Sequence, residues 1–379
     1  MEKSRVILLP CEDYEEEKVY NLMKEGLDLL GGISRLIGKE EKNLLKPNLL
    51  KKAEIEKAVI THPVVVGAFA RILREEGYEN IVLADSCGNG TTKKVIKGTG
   101  MDAYLEKYGI EAIDFSEGVH VEYPEGKQAK EFVMPKELLE ADCVISLSKM
   151  KTHALERITG AVKNSYGFVY GRNKAIGHTK YPSADSFARM LIDLNQYVKP
   201  RLYVMDGIVA MEGNGPGAGD PVPMKVMLMS TDPVALDSVF ARLVHLKPQL
   251  VPTNYHGEKM GLGNSDEANI QVLLPDGCEM SVEDAVMEYG NPYFNVDRTE
   301  IRHNIWTRMA KALNIFQKKP YIDGEKCIRC GICVRSCPVP EKAVDFRNGK
   351  ENPPVYDYKK CIRCFCCQEM CPEKAIKVK

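Results

Sequence analysis

The spacing of the cysteines near the C-terminus constrains this chain more than any other feature of its sequence. Nine of its thirteen cysteines lie between residues 327 and 371, and eight of them form two copies of the spacing C-x2-C-x2-C-x3-C-P. The eight are Cys327, Cys330, Cys333, Cys337, Cys361, Cys364, Cys367 and Cys371. Bacterial two-cluster ferredoxins use this spacing to bind cubane 4Fe–4S clusters. The sequence therefore predicts two 4Fe–4S clusters.

The proline after each fourth cysteine indicates how the ligands are shared. Three thiolates two residues apart can bind three corners of one cube, whereas the fourth is turned towards the other cube by the fixed φ of the proline. We therefore predict one cluster on Cys327, Cys330, Cys333 and Cys371, and the other on Cys361, Cys364, Cys367 and Cys337. The ninth cysteine, Cys366, breaks the interval from Cys364 and is predicted to be a buried packing thiol.

Two other uses of so many cysteines are disfavoured. A secreted disulfide framework would need a signal peptide, but the start MEKSRVILLP contains only a four-residue apolar run. Structural zinc sites usually pair two short C-x-x-C units across a longer loop, which does not suit a triple run. Free thiols and clusters together predict a reducing cytoplasm with little oxygen.

Composition and charge exclude several classes of partner. The chain has 379 residues, is 44% hydrophobic and 28% charged, and has a net charge of −1. That is an ordinary globular composition, and no apolar run approaches the ~18 residues that span a bilayer. We therefore expect no nucleic acid and no membrane as partners.

The large N-terminal part is predicted to be an α/β domain. Apolar strands alternate with amphipathic helices up to about residue 290, which indicates a mostly parallel sheet with helices on both faces. Residues 119–133 interrupt this order with a predicted β-hairpin that turns near Glu125 and Gly126. Apolar residues recur every three or four positions in 291–320 and predict an amphipathic linker helix. Residues 321–379, which contain a 34-residue internal repeat, are predicted to form a small α+β ferredoxin-like module.

Polar residues gather where the predicted strands of residues 1–290 end, and open α/β sheets bind ligands at that edge. Their lysines and exposed N–H groups suit an anionic small molecule. The residues predicted to bind it are Lys46, Asp85, Ser86, Lys149, Lys163, Asn164 and Asn214. No dinucleotide fingerprint or P-loop is present, so neither NAD nor ATP is predicted.

Three further residues are predicted to act in catalysis. Lys151 would help to hold the anion, and His153 or His62 would supply protons. Each has a plainer interpretation, which the sequence leaves open. His62 precedes Pro63 and can cap a helix, His153 can be a hydrogen-bonding residue, and a Lys-Met-Lys run can be a solvated face.

At these residues the chain resembles a known family, domain of unknown function 362, whose members are described as iron–sulfur cluster-binding proteins. The resemblance covers about residues 4–290 and implies the same fold; a ferredoxin module is a common companion in that family. It implies no settled activity and no established catalytic residues. The matching segments are Lys46–Asn48, Thr61–Pro63, Asp85–Ser86 with Gly88 and Gly90, Lys149–His153, Thr159–Gly160, Lys163–Asn164 with Gly167, Gly213–Pro216, and Thr231–Pro233 with Asp237.

The pairing of a polar site with two clusters predicts a ferredoxin-coupled oxidoreductase that acts on an anionic small molecule. Such a protein also needs a redox partner protein or another electron donor. Two alternatives stay open. The chain could be a non-redox isomerase or lyase with structural or sensing clusters, or it could be an electron-carrier or assembly protein.

Overall fold

A computed structural model describes residues 3–300 and 318–379. Within them the chain forms one large mixed sheet flanked by helices, followed by a small module of short strands and helices. The strands are β1 (Ser4–Pro10), β2 (Asn43–Pro47), β3 (Ile81–Leu83), β4 (Glu111–Ala112), β5 (Gly118–Glu122), β6 (Glu131–Pro135), β7 (Cys143–His153), β8 (Arg157–Thr159), β9 (Leu202–Glu212), β10 (Asp220–Ser230), β11 (Ile270–Leu273), β12 (Glu279–Met280), β13 (Pro320–Ile322), β14 (Val344–Asp345), β15 (Val355–Tyr356) and β16 (Ile376–Val378).

The helices of the described residues vary from one turn to four. They are α1 (Glu16–Leu29), α2 (Ile33–Leu36), α3 (Pro63–Glu75), α4 (Thr92–Ile96), α5 (Met101–Lys107), α6 (Lys136–Leu139), α7 (Ala161–Asn164), α8 (Asn173–Lys180), α9 (Ala184–Val198), α10 (Pro233–Leu243), α11 (Pro252–Met260), α12 (Val282–Tyr289), α13 (Ile332–Ser336) and α14 (Cys366–Met370). None of these helices is long and apolar enough to cross a membrane.

The large sheet confirms the predicted α/β class. Its strand order is β12-β11-β1-β10-β9-β7-β2-β3-β4, with β8 paired to β7. The run β9-β7-β2-β3-β4 is parallel throughout, as is the pair β1-β11. Strand β10 is antiparallel to both β1 and β9, because residues 213–219 return the chain directly from β9 into β10. The sheet is therefore mixed but mostly parallel.

Helices cover both faces of this sheet, as predicted. Ile7 and Leu9 of β1 pack in one core with α1 and α3, whereas Val6 and Leu8 pack in another with α10. A third core, between α9 and the sheet, contains Leu44. This alternation is the two-residue period of a strand buried on both sides.

The start of α3 matches the plainer interpretation of His62. Its side chain accepts the backbone N–H of Val64, and Pro63 follows in the first turn of the helix. At α10, Asp232 accepts the N–H groups of Val234 and Ala235, again with a proline at the start. Proline suits this position because its missing N–H would have no helical partner.

The predicted hairpin insertion is confirmed. Strands β5 and β6 pair antiparallel, and residues 123–130 connect them. The carboxylate of Asp193 on α9 accepts the N–H groups of Lys127, Gln128 and Ala129. These bonds fix the turn of the hairpin against the helix layer.

The C-terminal module follows the predicted repeat. Helices α13 and α14 each begin five residues after the first cysteine of their copy, so their starts are 34 residues apart. Strand β13 pairs with β16, and β14 pairs with β15. The predicted linker helix lies largely outside the described residues, and residues 291–300 form no helix. The domain boundaries at 290 and 320 stay predictions.

Candidate functional site

Strand β7 positions most of the predicted site residues. The sequence suggests a strand that ends at Leu147, but β7 continues to His153 and is buried along its whole length. The difference arises because β9 and β8 keep pairing with this segment. Lys149, Lys151 and His153 are two residues apart and all buried, and alternate residues of a strand share a face. Met150 between them packs in an apolar core.

Lys46 lies at the end of the neighbouring strand β2 in a closed polar cluster. Its Nζ is 3.1 Å from Asp85 Oδ1 and donates to Asn164 Oδ1 at 2.7 Å. Burial lowers the pKa of Lys46, and the Asp85 carboxylate opposes that shift. A Cβ on Gly167 would lie 2.0 Å from Asp85 Oδ1 and 2.4 Å from Lys46 Cε, so this position needs glycine. The ion pair is therefore a tightly enclosed structural feature.

Lys149 forms a second closed cluster. Its Nζ donates to Asp206 Oδ2 at 2.7 Å and to Tyr14 Oη at 2.9 Å. Tyr14 in turn donates to Asp206 Oδ1 at 2.8 Å, and its ring stacks on His62 with centroids 3.5 Å apart. Burial lowers the pKa of His62 to about 4, so this imidazole is neutral at neutral pH. The positive charge of Lys149 is balanced within the chain by Asp206.

Lys151 has no carboxylate partner among residues 3–300 and 318–379. Its Nζ donates to Asn48 Oδ1 at 2.7 Å and to the carbonyl of Val59 at 3.0 Å. Burial lowers the pKa of Lys151 well below its usual value, and the charge of Lys163 adds to the shift. A neutral amine has two hydrogens, and two acceptors are present. The contacts therefore suit the uncharged form.

Lys163 on α7 is the least committed of the predicted residues. It is half-buried, and no hydrogen bond or ion pair within residues 3–300 and 318–379 involves its ammonium. Its charge adds to the effect of burial in lowering the pKa of five neighbouring basic groups. They are Lys46, Lys151, His153, Lys174 and His178. Lys163 thus lies at the centre of a crowded group of basic side chains.

Two buried polar side chains near Lys163 were not predicted from the sequence. In the described part of the chain, both carboxyl oxygens of Glu156 lack a hydrogen-bond partner, and so does Nδ1 of His178. Burial raises the pKa of Glu156 well above its usual value, and it lowers the pKa of His178 to about 3. Buried groups of this kind are rare in folded proteins. Both side chains are therefore available to hydrogen-bond a ligand.

His153 connects the large domain to the C-terminal module. Its Nδ1 accepts the N–H groups of Leu155 and Glu156, each at 3.1 Å, which places the ring proton on Nε2. Nε2 donates to Glu369 Oε1 on α14 at 2.9 Å. Both ring nitrogens are therefore engaged, so His153 has no nitrogen free to transfer a proton.

The other two predicted residues, Asn214 and Ser86, have different partners. Asn214 donates to the carbonyl of Ile376 at 2.9 Å and accepts from Gln368 at 3.0 Å. Ser86 accepts the N–H of Gly171 through its hydroxyl at 3.3 Å. The structure thus brings Lys46, Asp85 and Asn164 into one cluster, whereas Asn214 contacts the module.

Further contacts fix the module on the sheet edge. Lys51 donates to the carbonyls of Glu369 at 2.9 Å and Cys371 at 3.3 Å. Gln368 donates to the carbonyl of Asn214 at 2.7 Å, and Lys374 donates to Asp220 Oδ1 at 2.8 Å. Helix α14 therefore faces the lysines of the large domain.

The cysteines of the module lie in two groups, and the predicted sharing of cluster ligands between them stays a prediction. Cys327, Cys330, Cys333 and Cys371 line one small cavity. Burial raises the pKa of Cys333 to about 11, and the thiolates of those same three cysteines add to the shift. Burial likewise raises the pKa of Cys361, with contributions from Cys364 and Cys337. Cys371 thus lies with the first copy, and Cys337 lies with the second.

The thiols are also uncrosslinked and unsuited to one small ion. All thirteen cysteines are free. Within residues 3–300 and 318–379, no three or more Cys, His, Asp or Glu side chains are arranged to bind one single metal ion. Zinc would draw four thiolates to ~2.3 Å from one centre, whereas a cubane binds each thiolate to a different iron. The residues present therefore fit cubane clusters better than zinc.

Comparisons with known proteins agree with this architecture. Residues 44–242 match the family described as domain of unknown function DUF362, and residues 319–372 match a 4Fe-4S dicluster domain. The chain belongs to the DUF362 family. It is an iron–sulfur protein, because this DUF362 domain is followed by the dicluster domain.

A relative from another organism matches most of this chain. The chain is 32% identical over 322 residues to the thylakoid-associated protein sll1697 of Synechocystis sp.. The match covers 83% of this chain and 98% of the relative.

Two solved structures are more distant. The lactate racemase apoprotein of Thermoanaerobacterium thermosaccharolyticum is 13% identical, with a TM-score of 0.41 over 60% of this chain and 54% of that one. A Thermotoga maritima protein is 12% identical, with a TM-score of 0.35 over 65% of this chain and 59% of that one. The chain therefore spans little more than half the length of either protein.

The internal repeat contains the signal that would have revealed the docking residues of this DUF362 chain. Val334 and Arg335 of the first copy correspond to Gln368 and Glu369 of the second. The second helix thus has an amide and an acid where the first has an apolar and a basic residue. This difference indicates that the two helices contact different surroundings. In the structure that partner is the edge of the large sheet.

Proposed function

We propose that this DUF362 protein is an iron–sulfur oxidoreductase that exchanges single electrons between its C-terminal module and a small anionic molecule. The molecule would bind beside Lys163, at the carboxyl edge of the parallel strands, and the protein would work in a reducing cytoplasm. The observation that carries the proposal is the contact between His153 and Glu369. That contact places the second cysteine copy against the lysine-rich edge.

The charge balance at this edge favours an anion. Lys46 and Lys149 are neutralised by Asp85 and Asp206. Two further lysines, Lys163 and Lys174, have no carboxylate in contact within residues 3–300 and 318–379, and the contacts of Lys151 suit its uncharged form. Glu369 is the carboxylate that the module brings to them, and its pKa is lowered to about 2 by the hydrogen bond from His153, against the effect of burial. Positive charge therefore remains in excess, and one bound anion would balance it.

The position of the second cysteine copy supports electron exchange with that anion. When bound, 4Fe–4S clusters supply or accept single electrons. Cys364 and Cys367 are buried, and α14 begins between them. Burial raises the pKa of Tyr166 well above its usual value, and Cys366, Glu369 and Cys364 contribute to the shift. Tyr166 lies two residues after the end of α7, which carries Lys163, so we expect the second cysteine copy to lie close to the anion site.

The protons that accompany electrons would come from Glu156 and Lys151. Burial raises the pKa of the Glu156 carboxyl, which favours the form that can donate a proton, and lowers the pKa of the Lys151 amine, which favours the form that can accept one. His153 would instead hold the module in place, because both its nitrogens are engaged. The proposal thus moves the proton-transfer role from His153 to these two residues.

An anaerobic experiment on the whole chain tests this function. The dithionite-reduced protein is mixed with small carboxylates and phosphates, and cluster oxidation is followed by visible absorbance. The true substrate should oxidise the clusters within seconds. Its reduced product should contain as many electrons as the clusters have lost. Lys163→Met should slow this at least tenfold, because it removes the free cation, whereas Lys163→Arg should retain most of the rate.

Anions that raise the melting temperature but never change the cluster spectrum would contradict the proposal. Conversion of such an anion without electron consumption would instead favour a non-redox isomerase or lyase. The matched control is Lys97→Met, because Lys97 is exposed and makes no described polar contact. It should leave both measurements unchanged.

A further inference from the structure

The two cysteine loops of the module have the same backbone but different surroundings. Arg329 and Gly331 in the first loop and Arg363 and Phe365 in the second all have φ values between 57° and 70°. Three of these residues are not glycine, and such a conformation is uncommon for them. The loops are therefore true structural copies, and any difference between them reflects what lies outside.

That difference is in exposure. Cys330 of the first loop is exposed, whereas its equivalent in the second, Cys364, is buried. Ile328 is 58% exposed, whereas its equivalent Ile362 is half-buried. The second loop is covered because α14 lies against the large domain. The first loop consequently faces solvent within the described part of the chain.

The exposed loop is also cationic. Residues 326–340 contain Lys326, Arg329 and Arg335 and no carboxylate. Lys326 and Arg329 are exposed and make no hydrogen bond or ion pair with any described residue. Arg335 donates to the carbonyl of Cys330 at 3.3 Å. Two exposed carboxylates reduce this charge: Glu373 lines the cysteine-lined cavity, and Glu325 precedes Lys326 in the sequence. The excess charge is therefore modest but positive.

We infer that this surface is where a small acidic one-electron carrier protein docks. The electron-exchange surface, as we name it, consists of Lys326, Ile328, Arg329 and Cys330. An exposed apolar residue surrounded by cations suits a partner with a small apolar patch and an acidic rim. Such electron-transfer encounters bury a small area and are weak, which suits repeated binding and release.

This inference rests on the proposed function and adds a direction to it. One electron would leave the carrier's cofactor and reduce the group held by Cys327, Cys330, Cys333 and Cys371. It would then pass inwards to the group held by the second copy, and finally to the anion beside Lys163. No proton crosses the electron-exchange surface. The outward-facing copy would serve the partner, and the inward-facing copy would serve the substrate.

The test uses the anaerobic full chain and a purified acidic plant-type ferredoxin as the probe. The dissociation constant is measured by calorimetry, and the second-order rate of electron exchange is measured by stopped flow in whichever direction is downhill. In the double variant Lys326→Glu/Arg329→Glu, we expect the dissociation constant to rise about tenfold and the rate of electron exchange to fall about tenfold at low ionic strength. In high salt the wild type should bind ferredoxin little more tightly than the double variant does, because ions screen these charges. Reduction by dithionite should stay within twofold of the wild type.

Two matched controls make the result decisive. Lys97→Glu reverses an exposed charge on the large domain, and Met287→Gln removes an apolar side chain that is 72% exposed. Ile328→Gln should weaken ferredoxin binding severalfold, whereas Met287→Gln should not. If the double variant Lys326→Glu/Arg329→Glu fails to hold its iron, the comparison of Ile328→Gln with Met287→Gln still tests whether ferredoxin docks on the electron-exchange surface.

Ferredoxin binding and exchange that respond equally to the surface variants and their controls would overturn the inference and leave the anion-linked redox function standing. Failure of the clusters to exchange electrons with either ferredoxin or dithionite would overturn both.

Discussion

Individual buried residues carry most of the chemistry of this protein, and their pKa values link them to stability. His178 on α8 stacks on Phe187 with ring centroids 4.5 Å apart, and burial lowers its pKa to about 3. An unfolded histidine has a pKa near 6.5. Between these two values the unfolded chain binds a proton that the folded chain does not. Stability is therefore lost as the pH falls below 6.5.

A substitution isolates this contribution. His178→Phe keeps an aromatic ring against Phe187 but cannot be protonated, so its stability should fall less steeply with acid. At pH 5 the wild-type residue costs about 2 kcal/mol relative to pH 7, and the variant should not show this loss. Anaerobic urea unfolding at pH 7 and pH 5 measures it. Parallel pH dependence in the two proteins would contradict the low pKa of His178.

For individual residues, the sequence predicts which side chains lie in the site better than it predicts what each of them does there. Lys46, Asp85 and Asn164 do meet, because strand ends converge at one sheet edge. The sequence could not show that Lys149 is neutralised by Asp206, because these residues are 57 positions apart and meet only through β7–β9 pairing. Glu156 was missed because a single glutamate in a turn has no pattern, and its burial arises from packing.

At the scale of elements, α14 joins the two parts of the molecule. It supplies Glu369 to His153 and Gln368 to the loop at Asn214. Glu369→Ala removes a hydrogen bond to a charged acceptor and leaves the Nε2–H of His153 without its partner. Such bonds contribute about 1.5–3 kcal/mol, so we expect the module to dock more weakly by about that amount.

Hydrogen exchange can measure this loosening. Amides of residues 213–219 and of β16 should exchange faster in Glu369→Ala, and Glu369→Gln should lie between that variant and the wild type. Glu373→Ala is the control, because Glu373 is exposed and follows the same helix. Unchanged exchange in Glu369→Ala, with full iron content, would show that the docking does not depend on this contact.

Elements with a strong period were predictable, and those set by pairing were not. The helix starts at Pro63 and Pro233 are written in the sequence, since a capping side chain precedes each proline. The length of β7 is not, because lysine at alternate positions normally indicates a solvated strand. Here Asp206 of β9, Asn48 just after β2 and the backbone carbonyl of Val59 are the partners of those lysines.

At the scale of the whole molecule, the two parts are stabilised by different means. The large sheet is enclosed by three apolar cores, whereas the module's core has few apolar side chains beyond its cysteines. Those apolar residues are chiefly Ala343, Val344, Ala375 and Ile376. A core so small rarely holds a fold without metal or crosslinks. The module should therefore depend on its iron, and the sheet should not.

Anaerobic removal of iron with a chelator tests this division of stability. Amides of α13, α14 and β16 should lose protection, those of β7 and β9 should keep it, and the far-ultraviolet circular dichroism should change only slightly. Because His153 would lose Glu369 as its partner, protection of Leu155 and Glu156 should fall as well. Cys366→Ser provides the matched control: Cys366 is outside the predicted ligand set, so this variant should bind about eight irons per chain and respond to chelation as the wild type does. If the module stayed protected without iron, its fold would have to come from docking on the sheet edge, and the clusters would then be passengers in a preformed structure.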